Sequence, residues 1–145
     1  MAFPVESIPD DDRLFRNVPN KPEDFWVAAQ NRPSSAAFKG KKDESDRRFR
    51  TSVNWQKHKT VEECRHPKSM AIVAVTPIQC RSTGKEAEHT PIPDGQPYGP
   101  NRAHSDICDP YGKPMSKNQD SVASSKLAEV AVVVWPEDGK VIIGS

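Results

Sequence analysis

No stretch of this sequence approaches the ~18 consecutive apolar residues that a membrane-crossing helix needs. Only 34% of its 145 residues are hydrophobic. An excess of one charge is missing too: 21 Lys and Arg stand against 20 Asp and Glu, for a formal net charge of +1. That balance argues against a nucleic-acid binder built on a basic face, although it leaves room for a local anion site. The opening Met1-Ala2-Phe3-Pro4-Val5-Glu6 lacks a basic segment followed by an apolar core, so a cytosolic chain is expected. Cysteine is scarce, with three in an odd set that fits no disulfide framework, and free thiols in a reducing compartment are expected. Internal repeats, phosphate loops and legible catalytic triads are missing as well. No cofactor is expected.

What is abundant is proline, with 14 residues. Prolines fix φ and remove a backbone donor, so they punctuate the chain into short elements joined by stiff loops. Residues 1–12 read as an irregular arm, and residues 13–145 as a single α+β domain. The expected domain is a small, mostly antiparallel sheet packed by a C-terminal helix and one or two short helices, with long proline-rich loops. Leu14 to Val18 and Phe49 to Trp55 alternate as half-buried strands do. Ser69 to Thr76 is an apolar, β-branched run that reads as a central strand, with Ile78 to Arg81 continuing it past Pro77. Glu86 to Ile92 would return beside it as a hairpin.

Short helices are expected at Pro22 and after Thr60, where Thr60 and Glu63 form a capping box. A second box, Ser116 with Gln119, opens the main helix over roughly 119–134, striped by Ala123, Leu127, Val130, Ala131 and Val134. The end of that segment, Val132 to Trp135, also suits a strand, and Val141 to Ile143 reads as a terminal one. Lys39 to Arg50 carries six bases and three acids and reads as a solvated loop. Residues 91–114 hold six prolines and three glycines. They are expected to form a long ordered loop, with no ordinary helix or central strand.

All four histidines and all three cysteines lie between His58 and Cys108. A zinc reading would draw on Cys64, His66, His104 and Cys108, although the usual paired spacings are missing. A cysteine nucleophile beside a histidine has no local signature here. An anion site has better material. Arg32, Ser34 and Ser35 offer a guanidinium and two hydroxyls, and Asn101, Arg102 and His104 could complete the site from the long loop. His104 is the residue best placed for acid–base work, because it sits in a polar loop and an imidazole can act as acid or base.

Four short segments resemble landmarks of short, uncharacterised bacterial proteins: Leu14-Phe15-Arg16, Arg32 to Phe38, Ser52-Val53, and Asn101-Arg102-Ala103-His104. That resemblance implies a bacterial cytosolic domain and no particular activity. The chain also resembles ADP-ribosyltransferase-like folds. Arg16 would be the NAD-contacting arginine on the first strand and Thr51-Ser52-Val53 the serine-containing strand motif. A late catalytic glutamate would then be Glu129 or Glu137. The functional expectation is a non-catalytic binding or accessory protein acting with a protein partner, using Arg32, Ser34, Ser35, Ser52, Asn101, Arg102 and His104. A nucleotide-binding enzyme is the first alternative and requires Arg32, Ser52 and His104 to converge on one pocket. A zinc-binding domain is the second.

Overall fold

Alternation dictates the sheet. In Phe49–Trp55, Thr51, Val53 and Trp55 are buried while Ser52 is exposed, as expected where successive side chains point to opposite faces. A computed structural model describes residues 2–143. Its elements in chain order are β1 (Leu14–Pro19), α1 (Pro22–Phe25), β2 (Trp26–Val27), β3 (Arg32–Pro33), β4 (Lys41–Lys42), β5 (Phe49–Trp55), α2 (Val61–Cys64), β6 (Ser69–Val75), α3 (Pro77–Ser82), β7 (Glu86–His89), β8 (His104–Cys108), α4 (Lys117–Val130) and β9 (Val132–Trp135). The main sheet has seven strands in the order β7-β8-β5-β1-β6-β9, with β4 pairing on β5, while β2 and β3 pair separately. Every pairing in it is antiparallel. The α+β architecture with a C-terminal helix is therefore as expected. No helix among the described residues is long and apolar enough to cross a membrane.

One face of the sheet carries the larger core, in which Leu14, Val18, Val53, Trp55, Val73, Val75 and Ile107 pack with Phe38, Leu127 and Ala128. The opposite face is covered over only part of its width, where Phe15, Ile72 and Ala74 pack with Cys64 of α2. The β5–β8 half of that second face holds polar residues: Ser52 and Asn54, paired in register with Asp106 and His104.

Several local expectations are corrected. The run after Pro77 is a helix, not more strand. Thr76 caps it, Pro77 sits in its first turn, and Gln79 completes a reciprocal capping box. The expected hairpin between 69–76 and 86–92 does not form, because α3 takes the chain across the sheet and β7 pairs with β8 at the far edge. Within 91–114 the structure places an interior strand, β8, between β5 and β7. The prolines cluster on either side of it, so the composition of the whole segment concealed a proline-free stretch whose Ser105 and Ile107 are fully buried. The main helix ends at Val130, and the β-branched Val132-Val133-Val134 pairs with β6 as a strand. Its buried stripe is Asp120, Ala123, Ser124, Leu127 and Ala128, so Val130 falls outside it. Val141 to Ile143 is not a strand. Instead Asn31 donates to the carbonyl of Gly139 at 2.6 Å and docks this tail on the turn after β2. Of the expected arm and domain, Met1 and residues 144–145 lie outside the described residues.

The charged 39–50 stretch is not a plain solvated loop. Arg50 clasps Asp43 and Asp46, and Arg48 is buried, donating to the Asp109 carbonyl at 2.8 Å and to Glu88 at 2.7 Å. Beneath them Lys85 donates to both Asp109 and Asp120 at 2.6 Å, all three being almost wholly buried. The remaining oxygens accept backbone N–H groups from Phe49, Met115 and Gly40. Burying charge is costly unless it is paired and hydrogen-bonded, and this cluster meets both conditions. It pins the approach to β7, the exit from β8, the start of α4 and the chain at Gly40 to one point. Gly40 is required there, since a Cβ would stand 2.7 Å from the Cβ of Phe49.

Candidate functional site

The edge of β5 that faces β1 is shared. β4 pairs with its Phe49–Arg50 end and β1 with Asn54–Trp55. Between them the edge is splayed, and backbone groups there need other partners. Arg16 fills the gap, donating from Nε to the Ala37 carbonyl at 2.8 Å and from a terminal nitrogen to the Ser52 carbonyl at 3.0 Å. Burial lowers its pKa from the ordinary arginine value.

Above the gap opens a cleft of about 190 Å³ lined by Arg16, Asn17, Ser52, Asn54, Asn101 and His104, among others. A second cleft of about 300 Å³, lined by Lys41, Lys42, Asp43, Arg50, Ser52 and Asp106, adjoins it through Ser52. The two make a polar furrow on the open sheet face. Asn101 donates to the Asn54 side chain at 2.9 Å. Asn17 donates from Nδ2 to the Cys64 carbonyl at 2.9 Å. Its Oδ1 is buried and lacks a hydrogen-bond partner among the described residues, which buried polar groups seldom do.

His104 occupies the middle. Its Nδ1 lies 2.9 Å from the Thr90 carbonyl, and its Nε2 lies 3.3 Å from Ser52 Oγ. A carbonyl can only accept, so the network puts the proton on Nδ1 and turns the Nε2 lone pair toward the Ser52 hydroxyl. Thr90 in turn donates from its hydroxyl to Asp106 at 2.9 Å. Burial raises the Asp106 carboxyl, opposed by the nearby His104 and by the Thr90 hydrogen bond.

Of the residues expected to form a site, Ser52, Asn101 and His104 come together here. Arg32, Ser34 and Ser35 do not line the furrow. Arg32 bonds Gln30 and the Pro33 carbonyl, Ser34 bonds the Asp24 carbonyl at 2.7 Å, and Ser35 opens a one-turn 3-10 helix. Their polar groups satisfy a local chain reversal. Arg102 is exposed and reaches toward Glu6 on the N-terminal arm. Arg16, Asn17 and Asn54 complete the cleft. By sequence, Asn17 and Asn54 are ordinary polar positions of half-buried strands, and Arg16 stands out only through the two resemblances. Glu129 and Glu137 are exposed and outside the furrow, which denies an ADP-ribosyltransferase reading its glutamate.

The expected zinc set is not assembled. Cys64 lies in the smaller core, His66 bonds the backbone of Lys68, His104 faces Ser52, and Cys108 takes a hydrogen bond from Arg48. The thiols are also poor nucleophiles, because burial pushes Cys64 up to about 11 and Cys80 and Cys108 up to about 12. Among the described residues, a different trio comes within ligating distance of one another: Glu6, His58 and His89.

Comparison with protein-family models, with curated proteins and with solved structures finds no match to this chain.

Proposed function

We propose that this chain is a non-catalytic binding protein that receives an acidic segment of a protein partner along the furrow centred on Ser52 and His104. The observation that carries this reading is the convergence of Arg16, Ser52, Asn54, Asn101 and His104 on one open cleft beside the unmatched Asn17 Oδ1. Acidic side chains of the partner would face Lys41 and Lys42, which are exposed on β4. Three of the four segments of the bacterial resemblance contribute lining residues to this cleft, and Ala37 of the fourth accepts from Arg16. A bacterial cytosolic setting fits three free, buried cysteines, which suit a reducing compartment.

Binding is favoured over acyl transfer for a geometric reason. Ser52 lies in mid-strand, so its side chain stands off the sheet while neighbouring N–H groups lie in the plane of the sheet. A serine nucleophile needs donors gathered on its own side, as a strand-to-helix turn provides. Wild type and Ser52→Trp, used as paired baits in cells of the source organism, test the reading. A cross-linked partner enriched by wild type and lost with the variant supports it; equal recovery rejects it. The Ser52–His104–Thr90 chain leaves a second reading, a nucleotide-binding enzyme, only in a form that does without Arg32, which bonds Gln30 and the Pro33 carbonyl outside the furrow. A melting-temperature rise with NAD or ATP, abolished by Ser52→Trp, would support that alternative.

A further inference from the structure

We propose that Glu6, His58 and His89 form a divalent-cation site of the zinc type that staples the N-terminal arm to the sheet. One carboxylate oxygen and one nitrogen from each imidazole lie within 4.8 Å of one another. The residues come from three separate places: the arm, the turn after β5, and the end of β7. Two imidazoles and a carboxylate with a fourth position open to water are an established zinc donor set.

His89 is prepared for the role. Its Nε2 lies 2.6 Å from the Arg102 carbonyl, which fixes the proton there and leaves Nδ1 as a lone pair. That lone pair now accepts the backbone N–H of Glu6 at 2.9 Å; the amide keeps its hydrogen and has to swing aside, with the arm, for a cation to take its place on Nδ1. Both rings are oriented by the indole of Trp55, with centroids 5.2 Å away for His58 and 5.1 Å for His89, and they stack on each other at 5.8 Å. His58 Nε2 stands 2.5 Å from Glu6 Oε2. Tetrahedral zinc, with bonds of about 2.0–2.2 Å, sets its ligand atoms about 3.3 Å apart. The pair therefore has to open by about 0.8 Å to admit the ion. A cleft of about 360 Å³, lined by Val5 to Ile8 and Glu86 to His89, gives an approach from solvent.

Two cations oppose the ion. Lys57 pairs with the second oxygen of Glu6, and Arg102 lies 3.8 Å from the first. Their side chains are about half exposed, at 52% and 47%, so each can withdraw into water when a stronger cation arrives. The site should therefore bind more tightly once Lys57 is neutralised, which an unrelated surface site would not do.

The test is titration of the chelator-treated full chain with Zn²⁺ by calorimetry and with Co²⁺ by visible absorption. Expected are one ion per chain, four-coordinate cobalt bands, at least about tenfold weaker binding in both Glu6→Ala and His58→Ala, and tighter binding in Lys57→Met. Glu6 and His58 are only partly buried, so these variants should stay folded, which circular dichroism checks, even where His89→Ala does not. No stoichiometric binding by wild type, binding that survives both alanine variants, or binding lost equally in His66→Ala would overturn the proposal.

Discussion

Arg16 donates to the Ser52 carbonyl at 3.0 Å, at the point where β1 and β5 part. The arginine does the work of a missing ladder partner, and it sits under the residue at the centre of the furrow. Leaving a buried acceptor unmade costs about 1–3 kcal/mol, and Arg16→Met would strand the carbonyl of the buried Ala37, while the Ser52 carbonyl, whose bond is exposed, can turn to water. The urea midpoint should fall with little change in slope, the sign of lost stability in an otherwise intact fold. Arg16→Lys should fall part of the way, because one ammonium cannot reproduce a planar fork reaching two carbonyls. A lysine variant as stable as wild type would show that the bridging is unimportant.

The Lys85 cluster gives a larger effect. Lys85→Met would leave Asp109 and Asp120 buried without their shared cation, and breaking a buried pair by removing one partner costs about 3–5 kcal/mol. Adding Asp109→Asn and Asp120→Asn should recover much of the loss, since both amides can still accept from the surrounding backbone N–H groups. Calorimetric melting of the single and triple variants measures this. A single variant that melts with wild type would mean the cluster carries no net stability.

Local periodicity made much of the fold legible, and topology hid most of the site. Strand β5 and the caps at Thr60 and Ser116 were readable because the governing interactions span only a few residues. The helix α3 was readable too, through Thr76 and Gln79, but the apolar run leading into Pro77 suggested a continuing strand. β8 was hidden because its flanking prolines dominated the composition of the segment. Ser52 and His104 were each suspect by residue type. Their meeting depends on the β5–β8 register, which joins positions 52 residues apart. Arg32 was suspect for the same chemical reason and lies elsewhere, because residue type carries no information about position. Lys85 attracted no attention because, in sequence, it is one more lysine after a glycine turn.

The loop at 93–100 is separable from the sheet. Ile92 and Asn101 exchange backbone hydrogen bonds at 2.9 and 2.8 Å, so the excursion leaves and returns at one point. Replacing residues 93–100 by Asn-Gly would join that pair by a two-residue hairpin turn. Loop closure then becomes easier by about 1 kcal/mol, and the melting temperature should hold or rise. Asn101 would keep its hydrogen bond to Asn54, leaving the cleft intact. If partner recovery falls in this variant while the fold survives, the loop belongs to the contact surface. Unchanged recovery confines the surface to the furrow.

The arm should come loose in acid through Glu6. Hydrogen bonds from Lys57 and His58 hold its carboxyl down at about 2, well below the ordinary 4.5. A carboxyl whose pKa is lowered by folding adds stability that is fully present above the unfolded value and disappears as pH falls through the folded one. The contribution is therefore complete above about pH 4.5 and fades toward pH 2. In the presence of chelator, wild type should exceed Glu6→Gln in stability at pH 5, and the two should converge near pH 2. Trp55 sits against both histidines, so its fluorescence during denaturation at each pH is a fitting monitor. A margin that stays the same down to pH 2 would mean Glu6 acts through packing, and that its charge does not hold the arm.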